Sequence, residues 1–108
     1  MLIIARFTIV LALLPLSAAT VTAGGPVNVT QKGRAFSVAS VQTTRGEIVR
    51  FINDDLFEHQ IYVEAPSFTF ESDEQEPGSD VEIRFSKAGL FEVRCHIHPK
   101  MLLKVEVR

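Results

Sequence analysis

The sequence predicts a single all-β domain folded as a sandwich, antiparallel or mixed, closed around one core. Three observations lead there. Apolar and polar residues alternate with period two in short runs, turn-forming residues punctuate the chain between those runs, and no segment carries a helical apolar period. The first run is 36–41, where Phe36, Val38 and Val41 are interleaved with Ser37 and Ser40. Thr44-Arg45-Gly46 turns the chain, and 47–52 then places Val49 and Phe51 on one face before Asn53, Asp54 and Asp55 cap and turn the backbone. His59, Ile61 and Val63 share one face of the next run and Gln60, Tyr62 and Glu64 the other, until Ala65-Pro66 ends it. Acids at 71, 73, 74, 76, 80 and 82, with no base among them, surround Pro77-Gly78 and predict a solvated loop or hairpin. Val81, Ile83 and Phe85 alternate with Glu82 and Arg84, and Lys87-Ala88-Gly89 turns the chain again. Phe91, Val93 and Cys95 alternate with Glu92 and Arg94, so Cys95 points inward at a strand end, and Leu103, Val105 and Val107 form the last strand.

Composition bounds what such a domain can do. At 108 residues, 46% hydrophobic and 22% charged, the chain has room for one core. Eleven Lys and Arg against 13 Asp and Glu leave no basic excess for a phosphate backbone, so the expected partner is not a nucleic acid. A single cysteine rules out an internal disulfide and leaves Cys95 as a packed thiol, a reactive thiol or a metal thiolate. The N-terminus reads as a secretory signal peptide over 1–23: a positive charge at Arg6, an apolar run over 7–16, and small-residue patterns that predict cleavage after Ala19 or Ala23. Residues 24–108 are then an exported domain with no membrane span, expected in the periplasm.

The chemistry concentrates in Cys95-His96-Ile97-His98-Pro99-Lys100-Met101, which gathers a thiol, two imidazoles and a thioether in the connection between the last two strands. A thiolate with imidazoles and a weak thioether suits copper, where two His and one Cys in a trigonal set with a long axial Met serve electron transfer. Structural zinc prefers four strong donors, and thioether sulfur is a poor one. The loop offers Cys95, His98 and Met101; the further imidazole has to come from elsewhere, and His59 stands on an apolar face just beyond the 53–55 loop. His96 alternates with Cys95 and should face away as an exposed histidine, its functional reading being a second, weaker metal contact.

Residues 46–55 followed by His59, and 89–95 followed by His98 and Met101, resemble the small blue-copper proteins, the cupredoxins. The C-x-x-H-P-x-M spacing is most similar to the amicyanins, although His96 stands where they have a small polar residue. The resemblance implies a Greek-key β-sandwich holding one type 1 copper, with His59, Cys95 and His98 as equatorial ligands, Met101 as the axial one, and Asn53 tying the ligand loop in place. It implies a non-enzymatic, monomeric one-electron carrier. Its port would be His98, within an apolar patch supplied by Ile97, Pro99 and Met101, and it would dock transiently on redox proteins such as a cytochrome, dehydrogenase or oxidase. Two other classes stand beside it: a copper-handling cupredoxin that sequesters or delivers the metal, for which His96 is the telling feature, and a thiol enzyme using Cys95 with a histidine base.

Overall fold

Alternation in the sequence becomes burial in the structure. Along 47–53 the odd-numbered residues Val49, Phe51 and Asn53 are buried while Ile48, Arg50 and Ile52 are half-buried, and along 89–95 Phe91, Val93 and Cys95 are buried between exposed or half-buried neighbours. The computed structural model describes residues 2–13 and 25–108. Its strands are β1 (Val27–Lys32), β2 (Ala35–Phe36), β3 (Ser40–Thr43), β4 (Glu47–Asn53), β5 (Ile61–Ala65), β6 (Phe68–Glu71), β7 (Asp80–Phe85), β8 (Gly89–Cys95) and β9 (Leu102–Val107). They form two mixed sheets, ordered β2-β1-β4-β7 and β3-β9-β8-β5-β6. Among the described residues there is no helix, and none is long and apolar enough to cross a membrane. The expected cleavage positions, Ala19 and Ala23, lie outside the described residues.

The inner faces meet in one core, with Val29, Val49, Phe51, Ile83 and Phe85 from the first sheet against Val41, Ile61, Val63, Phe91, Val93, Leu103, Val105 and Val107 from the second. Burying each side chain of this size stabilises the fold by about 1.5–3 kcal/mol. Toward one end Phe68, Phe85 and Phe91 stack edge-on and tilted, with ring centroids 5.5 to 5.8 Å apart. The other end, where β8 finishes and β9 begins, carries the chemistry.

Two local readings need correction, and one strand lies where none is read. The 36–41 run is two strands in different sheets: Ser37 donates its N–H to the Thr30 carbonyl and accepts the Thr30 N–H on its hydroxyl, and the chain then crosses so that β3 runs parallel to β9. Val38, at the crossing, is 45% exposed. β1 escapes the alternation argument because its third inward position holds a fully buried polar residue, Gln31, after Val27 and Val29; it is nevertheless a strand, parallel to β4 in the register Val29↔Phe51. The acidic stretch is not wholly solvated. Glu71 ends β6, 80–82 begin β7, and between them the uncharged Ser72 and Gln75 are buried.

Candidate metal centre

Pairing between neighbouring strands explains how distant residues meet. β5 lies against β8 with Ile61 opposite Cys95, so two residues back along the same face His59 arrives beside the cysteine. Both residues are buried, Cys95 at 2% exposure and His59 at 0%. His59 precedes the strand proper and is held by a two-way backbone bridge to Gln75, donating its N–H to the Gln75 carbonyl at 3.0 Å and accepting in return at 2.6 Å. After Cys95 the loop doubles back: the Met101 N–H donates to the His98 carbonyl at 3.0 Å, and Pro99 stiffens the turn between them.

Three donor atoms converge as a result. The Cys95 Sγ lies 3.6 Å from His59 Nδ1 and 3.9 Å from His98 Nδ1, and the two imidazole nitrogens are 3.2 Å apart. The point equidistant from all three is about 2.1 Å from each, which is the length of a first-row metal–imidazole bond and close to the roughly 2.3 Å of a metal–thiolate bond. Met101, 2% exposed, is buried at the foot of the same loop. The structure thus gathers His59, Cys95 and His98 into one cluster, with Met101 beneath the loop that carries two of them.

Hydrogen bonds fix the frame. Asn53 is fully buried, donates its amide to the carbonyls of Phe57 and Gln75, both at 2.9 Å, and accepts the Asp55 N–H at 3.0 Å. It therefore holds the loop that leads to His59 rather than the cysteine loop itself. Gln75 adds its side-chain amide to the Phe51 and Ser79 carbonyls. The Gln60 N–H points at Cys95 Sγ at 3.4 Å and helps to hold the sulfur in place. Asp55 Oδ2 accepts from His59 Nε2 at 2.8 Å. Its two oxygens also accept the N–H groups of Gly33 and Arg34 at 2.6 and 3.0 Å. Those amides form the β1–β2 turn, where Gly33 and Arg34 both have positive φ (63° and 56°), the left-handed pair that a two-residue hairpin requires.

Burial raises the Asp55 carboxyl, but the amides of Arg34 and Gly33 and the His59 ring outweigh it and hold the group below its ordinary value of 3.8. Burial also lowers His98 below its ordinary 6.5, helped by the nearby His59 and Arg34 and opposed by Asp55. Both groups bind protons less readily folded than unfolded, so stability falls as the pH is lowered, below 6.5 through His98 and below 3.8 through Asp55. Thermal unfolding of the metal-free protein is expected to show this, with His98→Ala removing the upper step; a midpoint flat through 6.5 contradicts it.

His96 faces away, as its alternation with Cys95 predicts. Its ring stacks on Tyr62 at 3.9 Å and 11°, and Nε2 lies 3.4 Å from Glu71, so it does not join the cluster. Met101 is buried and cannot belong to a surface patch; the apolar concavity beside His98 is lined instead by Ile97 and Pro99 with Arg34 and Lys100 at its rim. Phe57 stands next to it, its ring centroid 6.3 Å from that of His98 and the Arg34 guanidinium 4.2 Å above its face. Sequence reasoning sees Asp55 only as a turn former and loses Gln75 in a charged run. The one signal for Gln75 is that it is an uncharged residue placed amid acids.

No protein-family model matches the chain, and no curated protein matches it significantly. Solved structures do. A reduced tryptophan-to-tyrosine mutant of amicyanin superposes with a TM-score of 0.72 at 21% identity, over 80% of this chain and 85% of that one. A purple cupredoxin from Nitrosopumilus maritimus gives 0.68 at 20% identity, over 76% of this chain and 99% of its own. The chain has the cupredoxin fold. A Cu-containing nitrite reductase from Thermus scotoductus SA-01 gives a TM-score of 0.69 at 27% identity over 77% of this chain, which spans only 22% of that enzyme. In this cupredoxin fold two imidazole nitrogens, one thiolate sulfur and a buried thioether residue fit a type 1 copper site, because copper tolerates a weak thioether where zinc takes four strong donors.

Proposed function

We propose that the protein is an exported mononuclear type 1 copper protein that carries single electrons between redox proteins. The observation that carries this reading is the spacing of His59 Nδ1, Cys95 Sγ and His98 Nδ1, which leaves room at their centre for one ion at bonding distance from all three. His59, Cys95, His98 and Met101 would hold copper, which would supply a one-electron Cu(II)/Cu(I) couple. Asn53 holds the His59 loop rigid, and buried Phe51, Ile61 and Val93 support the site from the core. His98 is the partly exposed ligand, and the surface of Phe57, Ile97 and Pro99 around it supports a role as the port through which electrons enter and leave. Cations at its rim, Arg34 and Lys100, favour a partner with acidic groups around its own cofactor, and a patch this small suits short-lived docking of a monomer. Residues 1–23 serve as the signal peptide in this reading, and the domain works in the periplasm.

Titration with Cu(II), followed by visible absorption and EPR, tests it. An intense thiolate-to-copper band saturating at one copper per chain is expected, and Cys95→Ser is expected to abolish it. His96→Ala should leave the band in place. Copper bound with only the weak bands of nitrogen and oxygen ligation, unchanged by Cys95→Ser, overturns the assignment.

A further inference from the structure

We propose that Asp55 is a positioning residue for the metal, one that fixes the coordinating form of His59 and holds the reduction potential of the centre down. The proposal rests on the copper reading above. Its geometry begins with a side chain 5% exposed whose Oδ2 accepts from His59 Nε2 at 2.8 Å. An ionised carboxylate can only accept, so the ring must carry its hydrogen on Nε2. Nδ1 is then left with a lone pair, and Nδ1 is the nitrogen that faces Cys95 and His98. The carboxylate thus selects the tautomer that can ligate, and its remaining bonds stop it from rotating away: the Gly33 and Arg34 amides pin both oxygens from the far side.

The same carboxylate places a full negative charge one imidazole ring away from the centre. No lysine or arginine among the described residues pairs with it. Lys32 pairs with Asp54, and the Arg34 guanidinium lies over Phe57, so His59 is the only ionisable partner of Asp55 among the described residues. A buried, uncompensated anion stabilises the ion of higher charge, here Cu(II) over Cu(I), and does so more strongly than an exposed one because little water screens it. One electron from a redox partner converts Cu(II) to Cu(I), so favouring the oxidised form lowers the potential. Asp54, adjacent in sequence, exposed and turned toward Lys32, has the same charge without the contact and makes a matched control.

Two measurements test the proposal. In the copper-loaded protein, Asp55→Asn is expected to raise the potential by at least about 59 mV, a tenfold change in the Cu(II)/Cu(I) ratio for one electron, while Asp54→Asn shifts the ratio less than about threefold. In the metal-free wild type, ring nitrogen-15 NMR is expected to show His59 as the Nε2–H tautomer, and this needs no variant to fold. A His59 protonated on Nδ1 instead, or a potential that Asp55→Asn moves no further than Asp54→Asn does, overturns the proposal. If wild type shows no thiolate-to-copper band, the copper reading fails by itself, and the metal-free tautomer still decides whether Asp55 orients His59.

Discussion

Replacing Phe51 with alanine is expected to remove about 3–5 kcal/mol of stability from the metal-free domain, the range found when a fully buried aromatic ring is deleted from a core. Phe51 is completely buried, sits on an inward position of β4, packs edge-on against Phe36 at 5.8 Å, and its carbonyl accepts the Gln75 amide beneath the metal centre. A domain of this size holds roughly 4–13 kcal/mol in all, so the loss is a large share of it. At about 4–8 °C per kcal/mol, the unfolding midpoint should fall by more than about 12 °C. Copper should bind the complete site of the folded state more tightly than the unfolded chain, so excess Cu(II) should recover part of that fall. Urea unfolding of wild type and variant, with and without metal, measures both effects; a loss below about 1 kcal/mol would show that the sheets close over the missing ring.

Asn53→Ala should be nearly as costly for a different reason. The side chain makes three hydrogen bonds in a fully buried position, and its removal leaves the Phe57 and Gln75 carbonyls and the Asp55 amide without those partners. At about 1–3 kcal/mol for each buried group left bare, partly relieved by water, a loss of about 3–5 kcal/mol is expected. It should also loosen the site, because Asn53 bonds both sides of the frame around His59: the 53–57 loop through Phe57 and the bridging strand through Gln75. The variant should therefore release copper to a chelator at least tenfold faster than wild type. Phe51→Ala, which spares these bonds, should change that rate much less. Equal release rates in wild type and Asn53→Ala would limit Asn53 to a structural role.

The sequence makes the ligands legible because coordination chemistry uses rare residues: one Cys, three His and two Met leave few ways to build a soft site. The strands are legible wherever alternation is strict, as in β4, β7, β8 and β9. Reading fails where an inward position is polar. Gln31 hides β1, and Ser72 and Gln75 hide the buried part of the acidic stretch. It fails again at 36–41, because alternation fixes which side of a strand faces inward and carries no information on which sheet the strand joins. The role of Asp55 is invisible for a related reason. Its three contacts lie on Gly33, Arg34 and His59, and only the parallel pairing of β1 with β4 brings the first two within reach.

The two parallel pairs also govern the order in which the molecule comes into being. Parallel neighbours cannot be joined by a tight hairpin, and β3 meets β9 across 64 residues at the Gln42–Glu106 contact. Closing so long a loop costs entropy before any contact repays it, so long-range pairings of this kind form slowly and tend to come last. The centre depends on such closures, since His59 and Cys95 are 36 positions apart and meet only once β5 has docked on β8. The β8–β9 hairpin, by contrast, is local and brings Cys95, His98 and Met101 together early, as an incomplete trap with one imidazole missing. A chain emerging unfolded therefore passes through an interval in which its only thiol is open to oxidants and to stray ions. Arrival of His59 closes the site around the sulfur and ends that vulnerability.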